Sequence, residues 1–255
     1  MAAGVPIAYA CPVLALPQPP RAPWAAFPDV VIVAEQTAVK KHPDYEQAKH
    51  GNVQDAAPAA KRLSVSMLAP DSMQRIATLL RHDARIVPVH ALEGQGFNRI
   101  PAAFAEMLGE SLGADVETGI IQINVVNHTG ASGWQRLASP PLFEGAVEVG
   151  AAYLIVDDFV GQGSTLANLR GHIVRHGGDV IGAACLTGRA DSARLALTDG
   201  TLDELRSKHG LELEAWWRET FGYDFACLTE SEARYLVRVE NADTVRTRLA
   251  EAGSD

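Results

Sequence analysis

Apolar and polar positions alternate along this chain in blocks that change period, and the blocks predict strands and helices in turn. Residues 1–28 carry Pro6, Pro12, Pro17, Pro19, Pro20, Pro23 and Pro28, a density that excludes regular helix and predicts a flexible or wrapping arm. Val30 to Val33 reads as an outer strand. Pro43 to Leu63 reads as helix interrupted near Pro58. A helix opening at Pro70-Asp71-Ser72 and running to about His82 places Met73, Ile76, Leu79 and Leu80 on one face. From Arg85 the pattern changes. Arg85–His90, Thr118–Asn124, Tyr153–Val156 and Asp179–Leu186 are short apolar runs, with a further short strand within Leu142–Val149. Continuous apolar runs of this length are the mark of parallel strands buried on both faces. Between them lie a helix from Pro101 to about Leu112 and another from about Thr165 to His176, stopped by Gly177-Gly178. Strand–helix alternation of this kind predicts an α/β parallel sheet with right-handed crossovers. Beyond residue 200 the pattern is helical. Thr201-Leu-Asp-Glu204 and Thr229-Glu-Ser-Glu232 read as capping boxes, and Leu211–Phe221 and Ser231–Val239 as amphipathic helices. Three segments follow: an N-terminal arm and helical region over 1–84, an α/β core over 85–200, and a helical extension over 201–255. The extension either roofs a site or packs against the sheet or a second subunit.

The bulk properties narrow the partners. The 255 residues carry a formal charge of −9 and 47% hydrophobic residues, enough for a sizeable core. An acidic chain lacks the basic stripe expected of a nucleic-acid binder, so no nucleic-acid partner is expected. Cys11, Cys185 and Cys227 are few, odd in number and far apart, which points to neither a disulfide framework nor a zinc site but to a reducing, cytoplasmic setting. No basic leader precedes an apolar core and no apolar run approaches the length of a membrane span, so neither a signal peptide nor a membrane association is expected.

The chemistry concentrates in Tyr153-Leu-Ile-Val-Asp157-Asp158-Phe-Val-Gly161-Gln162-Gly163-Ser164-Thr165. An apolar strand ends in two carboxylates, a glycine-rich turn follows, and a helix begins. Ligands of open α/β sheets sit beyond the carboxyl ends of the strands. Glycines let the backbone approach an anion, and the N–H groups opening the helix bind it. Acceptors for sugar hydroxyls thus stand beside donors for a phosphate, a pair that suits a phosphorylated ribose. Either half alone also occurs in unrelated α/β turns. No Gly-x4-Gly-Lys-Ser/Thr competes elsewhere in the chain.

The segment resembles the 5-phosphoribosyl-1-pyrophosphate (PRPP) motif of type I phosphoribosyltransferases. The strict likeness covers residues 153–165 and a looser likeness in element order covers about 85–190. It departs at Gly161-Gln162, where the family more often has two small polar residues. The resemblance implies a phosphoribosyltransferase-like parallel sheet flanked by helices, with helical N- and C-terminal additions. It implies that Asp157 and Asp158 hold the ribose 2′ and 3′ hydroxyls and touch metal only through PRPP, and that Gly161, Gln162, Gly163, Ser164 and Thr165 wrap the 5′-phosphate. By position, the loop Leu92-Glu93-Gly94-Gln95-Gly96 would bind pyrophosphate, with Arg99 assisting, although the Glu93 carboxylate is an awkward neighbour for that anion. The mobile loop of the family would be Asn127–Arg136, where His128 and Arg136 reach the leaving group and Trp134 shields it from water.

The implied reaction transfers phosphoribosyl from PRPP to a nitrogen acceptor, with Mg²⁺ as cofactor and pyrophosphate released. No covalent nucleophile is needed. The 6-oxopurine enzymes usually carry an Asp where this chain has Gly161, and the orotate enzymes use a mobile-loop lysine, whereas no Lys lies between Lys61 and Lys208. Both features weigh against those two acceptors. His42-Pro-Asp-Tyr45 reads as a helix start. Two other functions stay open: a PRPP- or nucleotide-sensing regulator without turnover, and a ribosyl hydrolase or phosphorylase. By analogy with such families the chain is expected to form a homodimer.

Overall fold

The computed structural model describes residues 18–90, 92–93, 96–124 and 132–253. In chain order, β1 (Val31–Ala34) is followed by α1 (Ala38–Lys41), α2 (Tyr45–His50), α3 (Val53–Met67) and α4 (Pro70–Leu79). Then come β2 (Arg85–Pro88), a short antiparallel pair β3 (Leu92–Glu93) and β4 (Gly96–Phe97), and α5 (Ile100–Leu112). The middle of the chain holds β5 (Ile121–Gln122), α6 (Gly133–Ala138), β6 (Phe143–Glu144), β7 (Ala152–Val160), α7 (Ser164–Arg175) and β8 (Asp179–Gly188). Three helices close it: α8 (Asp199–Phe221), α9 (Glu230–Val237) and α10 (Ala242–Ala252).

Four strands form one parallel sheet in the order β1-β8-β7-β2. The two central strands are the apolar runs of the sequence. In β7 every residue from Ala152 to Val156 is buried, as hydrogen bonding on both edges and packing on both faces require. On one face, α3, α4 and α5 bring Leu63, Ile76, Phe104 and Leu108 onto Leu154 and Val156. On the other, Leu166, Leu169 and Ile173 of α7 cover Tyr153 and Ile155. The alternation of β7 side chains between faces thus divides one strand between two cores.

Several sequence expectations shift in detail. The break in the 43–63 helical stretch falls at Gly51-Asn52, where the Asn52 side chain accepts from the N–H groups of Gln54 and Asp55; Pro58 lies inside α3. A good cap outweighs one missing backbone donor. The Thr118–Asn124 run is not a core strand. Only Ile121–Gln122 pairs, antiparallel with β6, while Val116 makes a lone parallel bridge to Ile86 of β2. The Thr201–Glu204 capping box is displaced: Thr198 caps α8 by accepting from the Thr201 N–H, and Thr201 lies within the helix. The Thr229–Glu232 box forms as expected. The helical extension expected over 201–255 holds one further helix, α10, beyond the two segments given there.

The C-terminal helices have their own core, with Trp217, Phe221 and Phe225 packed ring against ring and joined by Leu137 and Ala138 of α6. What docks this layer on the sheet is polar. Glu232, fully buried, accepts from both Arg21 terminal nitrogens at 2.9 Å, from the Ser164 hydroxyl at 2.5 Å and from the Thr229 N–H at 2.8 Å. Burial alone would raise the Glu232 carboxyl, but Arg21 and Ser164 hold it below its usual range. Burial alone would likewise favour neutral Arg21, and the Glu232 charge more than reverses that. The arm reaches this point by crossing α7 at Gly171, where a Cβ would lie 2.0 Å from the Pro20 carbonyl oxygen.

Removing one partner of such a pair strands a buried charge, so Glu232→Gln should lower the unfolding free energy by about 3–5 kcal/mol in urea titration. Because the folded pKa of Glu232 is depressed, its contribution is complete above the unfolded carboxyl range near ~4.3 and is lost as pH falls through the folded value. The deficit of Glu232→Gln should therefore shrink on acidification, and a deficit constant with pH would refute the charged pair.

Candidate functional site

Strand β7 delivers Asp157 and Asp158 to the carboxyl end of the sheet, and Gly161–Gly163 turns the chain into α7. A cavity of about 220 Å³ opens there. Asp157, Asp158, the whole turn Gly161 to Thr165, and Arg136 border it. Of the remaining sequence candidates, Arg99 sits at the start of α5, half-buried and outside the cavity lining. Glu93 lies in β3. His128, Gly94 and Gln95 fall outside the described residues. Trp134 packs edge-on to Tyr235 at 5.1 Å and belongs to the C-terminal core rather than to the cavity wall.

The two carboxylates have different surroundings. Asp157 is 7% exposed, and its Oδ1 accepts from the Asp158 N–H at 2.8 Å. Burial, and then the neighbouring Asp158 charge, pushes the Asp157 carboxyl well above its usual range. Asp158 accepts from Asn98 Nδ2 at 3.0 Å and pairs with Lys49 Nζ at 3.5 Å, while its carbonyl accepts from Thr187 Oγ1 at 3.0 Å. Cys185 lies beside Asp157 on β8, and burial raises its thiol well above the usual range, which disfavours the reactive thiolate.

The turn is shaped by two glycines. Gly163 takes φ +82°, and a Cβ there would lie 2.4 Å from Leu195 Cδ2. At Gly161 a Cβ would come within 3.0 Å of Arg136 Nη1, so the missing side chain lets that guanidinium stand over the turn. Arg136 arrives on α6, whose Ser132 capping box orients the helix. Burial, and then Arg189, lowers its pKa. The Ser164 hydroxyl is already given to Glu232, and the Gln162 carbonyl accepts from Thr229 Oγ1 at 2.6 Å. Backbone N–H groups at the start of α7, the Thr165 side chain and the Gln162 amide remain as donors that the turn offers an anion.

The facing wall was not foreseen. Lys40, Tyr45 and Lys49 come from α1 and α2, and Asn98 from the segment before α5. Lys49 lies 6.0 Å from the centre of the Tyr45 ring. Among these residues only Asn98 had a positional hint, through its nearness to the loop expected to bind pyrophosphate.

No model of a protein family matches the chain. It is 40% identical over 236 residues to Protein TraN of Escherichia coli, covering 92% of this chain and 52% of that protein. It is 38% identical over 157 residues to an uncharacterised protein of Haemophilus influenzae, covering 61% and 34%. The chain thus spans about half or less of the curated relatives it matches. Among solved structures, adenine phosphoribosyltransferase from Rhodothermus marinus overlaps with a TM-score of 0.34 at 19% identity, covering 51% of this chain and 73% of that one. Orotate phosphoribosyltransferase of Mycobacterium tuberculosis overlaps at 0.30 and 19%, covering 58% and 69%. Overlaps of this strength decide neither fold nor activity; the parallel sheet and its carboxyl-end cavity rest on the register given above. No helix among the described residues is long and apolar enough to cross a membrane.

The raised Asp157 carboxyl carries a stability prediction. A group whose folded pKa is raised above the unfolded value of ~3.9 costs stability increasingly as pH rises between the two. Asp157→Asn should therefore raise Tm at pH 7 and leave it unchanged below about pH 3.5, where the unfolded carboxyl is mostly protonated too. A lower Tm at pH 7 would mean that Asp157 is ionised and stabilising.

Proposed function

We propose that the cavity binds PRPP and that the protein transfers its phosphoribosyl group to a nitrogen acceptor. The observation that carries this reading is the meeting of the Asp157–Asp158 pair and the Gly161–Thr165 turn in one cavity at the carboxyl end of a central strand. The carboxylates suit ribose hydroxyls, and the turn and helix start suit the 5′-phosphate. Lys40, Lys49 and Arg136 border the same space and meet the remaining negative charge of the ligand.

In the reaction the bond from the anomeric carbon to pyrophosphate breaks, a bond from that carbon to the acceptor nitrogen forms, and the acceptor's proton passes to the departing pyrophosphate or to solvent. Positive character grows on the ribose ring, and the carboxylate beside the ribose stabilises it. Arg136 and Lys49 take up charge on the leaving pyrophosphate. Lys49 is held by Asp158 and is freed as ribose hydroxyls take its place. Mg²⁺ fits this donor set as a substrate-borne ion: among the described residues no three His, Cys, Asp or Glu side chains could cage a metal alone, and one or two carboxylates plus phosphate oxygens are its usual ligands. When bound it would neutralise charge on the departing pyrophosphate. A homodimer remains the expected assembly by analogy.

A second reading, a PRPP sensor without turnover, is favoured by one observation. The turn is bonded to the C-terminal helices through Ser164–Glu232 and Gln162–Thr229, so a ligand on the turn pulls on contacts that α9 makes.

Calorimetric titration of PRPP with Mg²⁺, paired with pyrophosphate release across a panel of acceptors, separates the readings. A transferase releases pyrophosphate only with an acceptor, a sensor binds without release, and a hydrolase needs no acceptor. Asp157→Asn with Asp158→Asn should abolish PRPP binding with an unchanged circular dichroism spectrum; retained affinity would sink the site. Arg136→Ala should lower kcat more than it weakens PRPP binding, and an unchanged kcat would remove its role.

A further inference from the structure

The start of α9 grips the Gly161–Thr165 turn on both sides of Gly163. Upstream, the Thr229 hydroxyl donates to the Gln162 carbonyl at 2.6 Å. Downstream, the Ser164 hydroxyl donates to Glu232 at 2.5 Å. Thr229 and Glu232 are the two ends of one capping box, so each also serves the other. The Thr229 N–H donates to the Glu232 carboxylate at 2.8 Å, and the Thr229 hydroxyl oxygen accepts from the Glu232 N–H at 3.1 Å. Both residues are fully buried, and neither belongs to the cavity wall.

This grip decides where the backbone donors of the turn point. In a trans peptide the C=O and N–H lie on opposite sides of the chain, and no cis peptide occurs among the described residues. With the Gln162 carbonyl held against Thr229, the Gly163 N–H is turned away from α9. The Gly163 carbonyl in turn opens α7 by accepting from the Ala167 N–H at 2.9 Å. Gly163 is itself the cap of α7, so no side chain from that position occupies the first N–H groups of the helix. A Cβ on Gly163 would stand 3.3 Å from Thr229 Cγ2, so α9 packs on the turn as well as bonding to it. The helix start also has anchors apart from the turn: the Glu230 N–H donates to the Leu195 carbonyl at 3.0 Å, and Thr229 bridges Ala196. Removing the Thr229 hydroxyl therefore leaves α9 docked and frees the Gln162–Gly163 peptide.

We propose that Thr229 is a positioning residue for the 5′-phosphate. It fixes the Gln162–Gly163 peptide so that the N–H groups of the turn are aimed before the ligand arrives, and Glu232 braces Ser164 on the far side. The inference rests on the PRPP reading of the turn and adds that phosphate affinity is set by a residue that never touches the phosphate. Donors held in place beforehand need no ordering when the ligand binds, and a peptide free to rotate gives that advantage up.

The test is calorimetric titration of ribose 5-phosphate into the protein and three variants. Thr229→Val keeps the shape of the side chain without its hydroxyl and should weaken binding about tenfold, the scale of one hydrogen bond. Thr229→Ser keeps the hydroxyl and should bind as the unaltered protein does. Asn241→Ala removes the cap of α10, whose hydrogen bonds stay within that helix, and should lower Tm with unchanged affinity. Equal binding by Thr229→Val, or an equal loss in Asn241→Ala, would overturn the positioning role while the PRPP reading stands. An unaltered protein that ignores ribose 5-phosphate would overturn the PRPP reading and this role with it. Should Thr229→Val not fold, hydrogen exchange on the unaltered protein decides. Ribose 5-phosphate should slow exchange of the Glu232 N–H more than that of the Thr244 N–H, the matching capped position of α10, and equal slowing would overturn the role.

Discussion

One buried carboxylate joins three parts of the chain that share no local sequence. Glu232 accepts from the N-terminal arm through Arg21, from the start of α7 through Ser164, and from its own helix start through Thr229. Every lone pair it has is used, which is the condition for burying such a charge without a large penalty. A pair of this kind contributes little net stability compared with an apolar contact, but it admits one geometry only. The turn beside Asp157 and Asp158 is held in that geometry by the docking of the C-terminal helices.

The same constraint explains the division of labour within the turn. Ser164 would be free to bind a phosphate in an isolated strand–turn–helix unit. Here its hydroxyl belongs to Glu232, which leaves backbone groups, Thr165 and the cations across the cavity as the groups available to an anion. The acid pair is arranged in the opposite sense. Asp158 is provided with Asn98 and Lys49, whereas Asp157 is buried with one backbone donor and beside a like charge. Burial and the Asp158 charge both raise the Asp157 carboxyl, and groups perturbed in this way cluster at functional sites.

The parallel core was legible because its signals are local. Strands β7 and β8 are continuous apolar runs, and β7 ends at adjacent acids and a glycine turn within thirteen residues; covalent neighbours of this kind must share one strand end wherever the strand goes. The Ile-rich run at 118–124 misled for a related reason. Apolar content marks burial, not pairing, and with β2 already lying against β7 only Val116 found a parallel partner there. Pro58 misled in the other direction, since the Asn52 cap, and not the proline, decides where that helix starts.

By itself the sequence determined the sheet class, the position of the acid pair near the carboxyl end of a strand and the helix start that follows it, because period, apolar run length and glycine placement act over a few residues. Only the tertiary structure decided what surrounds that pair. Asn98 reaches Asp158 across 60 residues, Glu232 reaches Ser164 across 68, and Arg21 reaches Glu232 across 211. Lys49 and the arginines at 189, 234 and 238 likewise meet the turn only after the layers have packed. No spacing rule encodes such meetings, since they follow from which faces bury against which, and a side chain's partners are fixed only when its element has found its neighbours.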